Sequence, residues 1–381
     1  MSARLAALLA VLTLLLTACS SLPSSGTIDS GPASIAPNVT IAPNVTIAPN
    51  PTVGPNPTIA PNPQASPIHT LPPAGDTLPP ASPSLIAIPA AVAYPLTITD
   101  DEGTAVTIPT RPKHVISLSP ANTEIAFALG AGSAVVGGTD ADDYPPEAAA
   151  LPDVATFTGV IKEKVVNLEP DLILAAGNGF NHPADIKALR DLGYPVVVVY
   201  AKSVDQVLSD IRLIGLALGV PEAAATMTAD METKIQAVSV AASALSSRPR
   251  TFYEIGSGPE IFGPAPDSFI ADLIDMAGAD AITTGDPNVF SISLERLVNA
   301  DPQVIVVGDA LYGVCPKDVE KRAAWKGMTA VKNGDVRPVN DTIVTRPGPR
   351  LAEGFAALAR AIHPDISLPG FPPDAPICAS P

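Results

Sequence analysis

The sequence predicts an α/β protein made of two lobes, each built on a mainly parallel sheet, joined by one long α-helix. Beyond Tyr94, short apolar runs alternate with segments of helical periodicity, which is the pattern of βα units. The alternation occurs twice, once on each side of a stretch that has helical signals only. The 381 residues leave room for two medium domains, because single cores rarely grow beyond about 250 to 300 residues.

The chain begins with an export signal, to which we assign residues 1–18. Arg4 precedes an apolar run, Leu5–Leu16, that is too short to span a bilayer. The run ends in Leu-Thr-Ala-Cys at 16–19, which resembles the lipobox of bacterial lipoproteins, where the cysteine is lipidated and becomes the first residue. We therefore expect Cys19 to anchor the protein at the extracytoplasmic face of the cell membrane. Ordinary secretion is the alternative.

Residues 19–92 form a tether in this interpretation. They are almost uncharged and rich in proline, with the near-repeat Ala-Pro-Asn-Val-Thr-Ile at 36–41 and 42–47. Frequent prolines remove backbone donors and favour extended polyproline conformations, so no core forms there. Fully extended, about seventy residues at about 3.1 Å each would reach about 200 Å from the membrane.

An N-terminal lobe is predicted over 93–202. Its strand candidates are apolar runs bounded by polar or turn residues: His114–Leu118, Val135–Thr139, Leu172–Ala176 and Val196–Tyr200. The segment 203–248 follows with helical signals that stop at Gly219 and resume from Pro221 to about Ser246. Glycine just past the end of one helix and proline at the start of the next are typical helix-boundary signals. The second of these helices is long enough to bridge two bodies.

A C-terminal lobe is predicted over 249–366, followed by a tail, 367–381. Strands are expected at Thr251–Ile255, Val304–Val307 and Val336–Asn340, and helices at Ser268–Ala277 and Arg350–Ile362. The result is two Rossmann-like lobes. Open α/β sheets bind ligands beyond the carboxyl ends of their strands, so two such lobes facing each other would enclose one ligand cleft.

Charge and cysteine content narrow the possible partners and compartment. The chain has 22 basic and 38 acidic residues, a formal net charge of −16, and no basic patch for a phosphate backbone. Nucleic acid is therefore not expected as a partner. With Cys19 assigned to the anchor, Cys315 and Cys378 are left as a pair that we expect to form a disulfide outside the cytoplasm. Two free thiols are the alternative.

Recognisable catalytic and nucleotide-binding motifs are absent from the sequence. The glycine pairs at 130–132 and 256–258 lack the third glycine of a dinucleotide loop, and no Gly-x-Ser-x-Gly or His-Glu-x-x-His motif occurs. A zinc site built from His182, Asp140 and Asp142 is a minor alternative to solvated loop side chains. We therefore expect no catalytic residue, metal or cofactor.

Aromatic residues are scarce, at 4% of the chain, and five fall in loops that follow strands or precede helices: Tyr144, Phe157, Phe180, Phe262 and Phe290. A neighbouring loop would cover a single ring, but five on the same side of two sheets are better explained by a ligand. The turn at 119–122 adds the backbone donors of a helix start. We group Pro120, Asn122 and Asn178 with the rings as ligand-binding candidates.

Four segments have a familiar pattern: 115–124, 143–148, 166–174 and 346–350, reading VISLSPANTE, DYPPEA, VNLEPDLIL and RPGPR. In order and spacing they resemble the substrate-binding proteins of ABC importers for cobalamin, haem and ferric siderophores. The resemblance runs from about Lys113 to His363 and is strongest to the cobalamin-binding branch. It implies two lobes on a rigid helical backbone, a ligand held between them with little hinge motion, and delivery to an ABC transporter permease.

The resemblance also implies roles for individual residues. Tyr144 and Phe157 would line the N-lobe side of the cleft and Phe290 the C-lobe side. Arg346 would lie in a C-lobe cleft loop. Cobalamin binders of this pattern have tryptophans at Phe157 and near Phe290, whereas the only tryptophan here is Trp325. The implied ligand is a metal chelate, with cobalamin or another corrinoid first and a ferric siderophore or haem as alternatives.

Two carboxylates correspond to permease-docking positions in this resemblance. Glu295 resembles the surface glutamate that pairs with a permease arginine, and a helix-start carboxylate interacting with the helix dipole is its alternative role. In the N-lobe the docking glutamate aligns near Pro183, and Asp185 is the nearest carboxylate. Two other classes of protein stay open: a surface enzyme on the same scaffold, and a tethered sensory or adhesion module.

Overall fold

The computed structural model describes residues 92–287 and 289–378, all within one compact unit, Ser82–Pro381. The signal peptide, the lipidated Cys19 and most of the tether lie outside the described residues. Within the described part of the chain, no helix is long and apolar enough to cross a membrane.

The N-terminal lobe is built on a six-stranded sheet that follows a short hairpin. The hairpin strands are β1 (Leu96–Thr99) and β2 (Ala105–Ile108), and the sheet contains β3 (Val115–Ser117), β4 (Val135–Thr139), β5 (Asp153–Thr156), β6 (Gly159–Val160), β7 (Leu172–Ala176) and β8 (Val196–Val199). In the order β6-β5-β4-β3-β7-β8, only β6 is antiparallel to its neighbour. All four residues of β8 are buried, as expected for a parallel strand covered on both faces.

Three helices connect these strands: α1 (Pro120–Ala128), α2 (Lys162–Asn167) and α3 (Pro183–Asp191). At the start of α1, the Ser119 hydroxyl accepts a hydrogen bond from the backbone N–H of Asn122 at 3.3 Å, and proline occupies the first helical position. Because α1 follows β3 almost directly, its first turn lies at the carboxyl edge of the sheet.

Two helices lead from the first lobe to the second, α4 (Val204–Ala217) and α5 (Pro221–Ser243). Gly219 separates them with a φ of +72°, a conformation that residues with a side chain rarely adopt. The 23 residues of α5 make it the long helix that the sequence predicts.

The C-terminal lobe contains a parallel sheet and a smaller antiparallel one. Its strands are β9 (Arg250–Glu254), β10 (Gly256–Ser257), β11 (Ile261–Phe262), β12 (Asp280–Ala281), β13 (Ser291–Ile292), β14 (Val304–Val307) and β15 (Val336–Pro338). Its helices are α6 (Phe269–Met276), α7 (Leu294–Ala300), α8 (Pro316–Lys321), α9 (Thr329–Asn333), α10 (Asp341–Thr345) and α11 (Leu351–Ile362). The parallel sheet has the order β12-β9-β14-β15, and the antiparallel sheet the order β10-β11-β13.

One hydrophobic core runs through both lobes. Its buried cluster includes Val115 and Leu174 of the first sheet, Ile235 of α5, Val306 of the second sheet and Phe355 of α11. Between the two sheets, α5 packs against α4 and α11. The prediction of an α/β fold with two lobes joined by a long helix is confirmed.

The C-terminal tail is held against the second lobe by a disulfide between Cys315 and Cys378, with a Cα–Cα distance of 5.7 Å. Nearby, Arg360 Nη1 donates to Asp374 Oδ1 at 2.9 Å. The predicted pairing of the two cysteines is therefore confirmed. Because Cys315 precedes α8 on the segment that leaves β14, the disulfide fixes the tail close to the carboxyl edge of the C-lobe sheet.

Candidate functional site

The loops at the carboxyl ends of the strands carry most of the predicted site residues. In the N-lobe these loops follow β3, β4, β5, β7 and β8, and in the C-lobe they follow β9, β14 and β15. Within each main sheet these strands run in the same direction, so the loops gather at one edge. The site candidates therefore lie at two sheet edges, one in each lobe.

An ion-pair cluster joins the two edges. Glu124, in α1 and only 2% exposed, accepts hydrogen bonds from Arg346 and Arg350, between α10 and α11. Arg346 Nη1 lies 2.8 Å from Glu124 Oε1, while Arg350 Nη2 and Nε lie 2.6 and 2.8 Å from Oε1 and Oε2. Arg346 Nη1 also lies 2.5 Å from Oδ1 of Asp143, which follows β4. We call these four residues the interlobe clasp.

Tyr144 extends the clasp with an aromatic ring. The guanidinium carbon of Arg350 lies 4.1 Å from the centroid of the Tyr144 ring, a cation–π distance. Because the clasp joins loops from both carboxyl edges, the two edges face each other across a cleft. Tyr144 and Arg346, predicted separately from the sequence, are brought together in this cluster.

Exposed rings line the N-lobe edge. Phe157, after β5, is fully exposed, Phe180, after β7, is 64% exposed, and Tyr144 is 45% exposed. Asn178 lies between β7 and Phe180 with a φ of +53°, and its Nδ2 donates to the Tyr200 hydroxyl at 2.5 Å. Apolar rings with a few fixed polar groups are the usual composition of a small-molecule site.

The C-lobe edge carries rings as well. Phe262 is 40% exposed, and Phe290 is half-buried. Leu311 and Tyr312, in the turn directly after β14, are 48% and 82% exposed. Neither is among the sequence candidates. The rule that identified the aromatic candidates, a ring in a loop after a strand, applies to Tyr312, and Leu311 is an apolar neighbour without a ring.

Pro120 and Asn122 are buried in the first turn of α1. The Nδ2 atom of Asn122 has no hydrogen-bond partner among the described residues. The loop of residues 346–350 between α10 and α11, which we call the clasp loop, passes close to this turn, since a Cβ at Gly348 would lie 3.8 Å from the carbonyl oxygen of Ala121. These two candidates therefore lie beneath the clasp loop.

A second buried ion pair lies at the end of β9. The two oxygens of Glu254 accept hydrogen bonds from Nη1 and Nη2 of Arg322 at 2.7 and 2.8 Å. The guanidinium carbon of Arg322 lies 4.5 Å from the ring centroid of Trp325, which is 3% exposed and so supports this pair. Asp309, after β14, is 7% exposed, and burial together with the nearby Glu254 carboxylate raises its pKa to about 6.

The side chains of the zinc alternative do not converge. Asp142 is buried, and its carboxylate accepts hydrogen bonds from the hydroxyls of Thr123 and Thr139, both at 2.7 Å. Burial raises the pKa of Asp142. Among the residues that the structure describes, no group of three or more His, Cys, Asp or Glu side chains is arranged to hold a metal ion. The zinc alternative is therefore wrong for these residues.

Three cavities open beside these loops. One of about 310 Å³ is bordered by Asn178, and one of about 480 Å³ by Tyr144. A third, of about 850 Å³, is bordered by Ile261 and Trp325 in the C-lobe. The first is lined by residues of the N-lobe and the start of α4, the second by N-lobe residues and the third by C-lobe residues.

The two docking candidates differ in their surroundings. Glu295 is exposed in the first turn of α7, beside a cavity of about 610 Å³, and makes no ion pair within the described part of the chain. Asp185, in the first turn of α3, is engaged, because Lys162 Nζ lies 2.5 Å from its Oδ1 and the backbone nitrogen of Val160 lies 3.3 Å from its Oδ2. Of the two, Glu295 has the carboxylate that is open to a partner.

Comparison with known proteins identifies relatives that share this architecture. Residues 115–341 match the periplasmic binding protein family. An uncharacterized ABC transporter substrate-binding lipoprotein of Bacillus subtilis is 36% identical over 276 residues, which is 71% of this chain and 87% of the relative. A protein of Halobacterium salinarum named cobalamin-binding protein is 33% identical over 286 residues, 72% of this chain and 75% of the relative.

A solved structure gives the same result for the fold. The crystal structure of the periplasmic vitamin B12 binding protein of Vibrio cholerae superimposes with a TM-score of 0.59 and 27% sequence identity. The superposition covers 67% of this chain and 98% of that protein. Nearly the whole of the solved protein therefore has a counterpart here.

Proposed function

Because this chain belongs to the periplasmic binding protein family, we propose that it captures a metal chelate outside the cytoplasm and delivers it to the permease of an ABC importer. Cobalamin or a related corrinoid is the first candidate ligand, and the protein binds and releases it without covalent chemistry. The relatives support this choice, since two of those described above are named for binding cobalamin or vitamin B12.

The observation that carries the proposal is the set of exposed apolar side chains on facing edges. Phe157 and Phe180 in the N-lobe, and Leu311 and Tyr312 in the C-lobe, leave large apolar areas uncovered. A corrinoid has a broad macrocycle with apolar faces and amide-bearing edges. Rings from both lobes can cover such faces, and Asn178 supplies a polar contact.

The sequence candidates take distinct places in this proposal. Direct ligand contacts are assigned to Tyr144, Phe157, Asn178 and Phe290. Arg346 acts within the clasp, where it holds Asp143 next to Tyr144. Pro120 and Asn122 shape the floor beneath the clasp loop.

Ligand titration of the full-length protein, purified in a non-ionic detergent, tests the proposal. Cyanocobalamin, haem and a ferric siderophore are added in turn, and the protein is separated from free ligand by gel filtration. Cobalamin and haem absorb strongly in the visible range, so the spectrum of the protein fraction identifies what is retained. We expect cyanocobalamin to be retained. Retention of haem or the siderophore instead would establish the alternative ligand class, and retention of none would contradict the proposal.

A single ring tests whether the cleft is the binding site. Phe157→Ala should weaken cyanocobalamin binding about tenfold, because losing about 60 Å² of apolar contact at about 25 cal/mol per Å² costs about 1.5 kcal/mol. Leu192→Ala is the matched control, since Leu192 is 57% exposed at the opposite end of α3 from the carboxyl edge. Equal affinity of wild type and Phe157→Ala for cyanocobalamin would contradict binding of the ligand against Phe157 in the cleft.

Lipid anchoring is the second part of the proposal. A diacylated Cys19 would hold the mature chain at the extracytoplasmic face of the membrane, and the tether over 19–92 would let the lobes at 93–202 and 249–366 reach the permease. The Bacillus subtilis relative supports this, since it is named as a lipoprotein. Intact-mass analysis of membrane fractions should show a lipidated Cys19 as the first residue. An unmodified Cys19, or cleavage at another site, would contradict the anchor.

Docking through Glu295 is the third part. An exposed carboxylate on an acidic protein can steer and orient a basic side chain of the permease. Glu295→Gln should lower cellular uptake of radiolabelled cyanocobalamin while the affinity of the purified protein stays unchanged. Glu222→Gln, an exposed glutamate in α5, is the control. Unchanged uptake would remove the docking role, and Asp185→Asn should have the smaller effect because Lys162 already holds Asp185.

A further inference from the structure

The guanidinium groups beside the cleft are already occupied by the protein's own carboxylates. Glu124, 2% exposed, holds Arg346 and Arg350, and Glu254, 0% exposed, holds Arg322. Buried carboxylates of this kind occur at the carboxyl edge of each lobe. The same arrangement is therefore found on both sides of the cleft.

Arg350 and Arg322 are each held through two donors, whereas Arg346 reaches both Glu124 and Asp143 through Nη1. Arg350 donates to both oxygens of Glu124 through Nε and Nη2, and Arg322 donates to both oxygens of Glu254 through Nη1 and Nη2. A bidentate pair presents two donors to one carboxylate and withholds them from any other anion. An incoming anion would have to displace a buried glutamate, whose charge would then be left without a partner.

The local charge balance on the C-lobe side is acidic. Two carboxylates, Glu254 and Asp309, lie near Arg322. In the loop after β8, Lys202 Nζ lies 3.6 Å from Asp267 Oδ2 and so also has a carboxylate beside it. A ligand carboxylate beside these four cations, Arg322, Arg346, Arg350 and Lys202, would lose water and find each of them already next to a carboxylate of the protein.

We propose that Glu124 and Glu254 are specificity-determining residues, which engage the arginines of the cleft and thereby restrict it to chelates without a net negative charge. Specificity of this kind comes from an unfavourable arrangement for the wrong ligand as much as from contacts with the right one. Corrinoids whose side chains are amides satisfy the restriction, whereas haem and anionic ferric siderophores do not. The inference rests on the proposed function, because it concerns the ligand of the same cleft.

Two pairs of chelates test the restriction with the full-length protein in detergent. The first pair is dicyanocobinamide and dicyanocobyrinic acid, which share a macrocycle and differ in amide against carboxylate side chains. The second pair is neutral ferrichrome and anionic ferric enterobactin. For each pair that binds, we expect the affinity for the amide or neutral member to be at least about tenfold higher than for the anionic member.

Variants connect the preference to the clasp. Glu124→Gln should narrow the cobinamide to cobyrinic acid ratio, because Arg346 and Arg350 become available to ligand carboxylates. Asp143→Asn removes an exposed partner of Arg346 and should narrow the ratio less. Because this variant keeps the buried Glu124, it provides the test if Glu124→Gln does not fold. Glu222→Gln on α5 makes the same chemical change away from the cleft and should keep the wild-type ratio.

The outcomes separate this inference from the proposed function. Preference for the anionic member of either pair would overturn it, as would folded Glu124→Gln and Asp143→Asn proteins that both keep the wild-type ratio. Retention of ferrichrome without either corrinoid would contradict the corrinoid proposal and support the restriction. Binding of no chelate at all would overturn both.

Discussion

Replacing Gly354 by alanine tests the packing that positions the clasp. Gly354 lies in the first turns of α11, and a Cβ there would sit 1.9 Å from the carbonyl oxygen of Ile343 and 2.9 Å from the backbone nitrogen of Val344, both in α10. Ordinary contacts need about 3.5 Å, so α10 and α11 would have to separate by about 1.6 Å. Because both neighbours are backbone atoms, no side-chain rotation can accommodate the methyl group.

The cost of Gly354→Ala follows from two opposing terms. Overpacking costs about 1–3 kcal/mol, and a clash between backbones belongs at the upper end of that range. Alanine regains about 1 kcal/mol of helix propensity over glycine. The free energy of unfolding should therefore fall by about 2 kcal/mol, which lowers the Tm of a unit of about 300 residues by about 3 °C. Because Arg346 directly follows α10, the displacement should also loosen the clasp.

Thermal unfolding followed by circular dichroism measures the effect. Gly327→Ala is the matched control, since a Cβ at Gly327 would meet nothing within 4 Å. This control should keep its free energy of unfolding within about 0.5 kcal/mol of wild type. If Gly354→Ala and Gly327→Ala unfolded at the same temperature, the close approach of α10 and α11 would not be what holds the clasp loop in place.

Three further predictions concern stability, pH and binding. Cys378→Ser should lower the free energy of unfolding in urea by about 4 kcal/mol, given the sequence separation of 63, and an unchanged midpoint would contradict this. The pKa of Asp309 is raised from 3.8 to about 6, so the folded state keeps a proton that the unfolded state has lost; the free energy of unfolding should fall as pH rises from about 4 to about 6 and then level. Asp309→Asn should remove this part of the pH dependence in urea titrations, and an unaltered profile would assign it to other groups. Tyr312→Ala should weaken ligand binding about tenfold in a titration without changing the Tm, because its ring is 82% exposed; an equal affinity would exclude Tyr312 from the site.

The elements that could be predicted are those whose pattern is local. The predicted runs at 135–139, 172–176 and 304–307 coincide with β4, β7 and β14, because a buried parallel strand needs an uninterrupted apolar run between polar neighbours. The hairpin of β1 and β2 and the two-residue strands β10 to β13 were missed. Such short strands are defined by the partners they pair with, and their own residues carry little signal.

Exposed rings could be predicted from the sequence, but charge pairing could not. Phe157 is exposed as its place in a loop suggests, and Phe290, judged by the same rule, is half-buried because its surroundings cover it. Arg346 was expected to face a ligand, and the structure pairs it with Glu124, 222 positions earlier in the chain. Residues so far apart in the sequence come into contact only when the two lobes pack together, so no local pattern of residues predicts the pair.

The largest buried cluster is shared by the two lobes. Ile235 of α5 belongs to the same buried cluster as Val115 on one side and Val306 on the other, so parting the halves would expose apolar surface on both. We expect a single cooperative melting event for the two halves and no independently stable fragment from either. Under the proposed function, thermal separation of the two lobes is therefore too costly to release a bound ligand, and release is expected to need the permease.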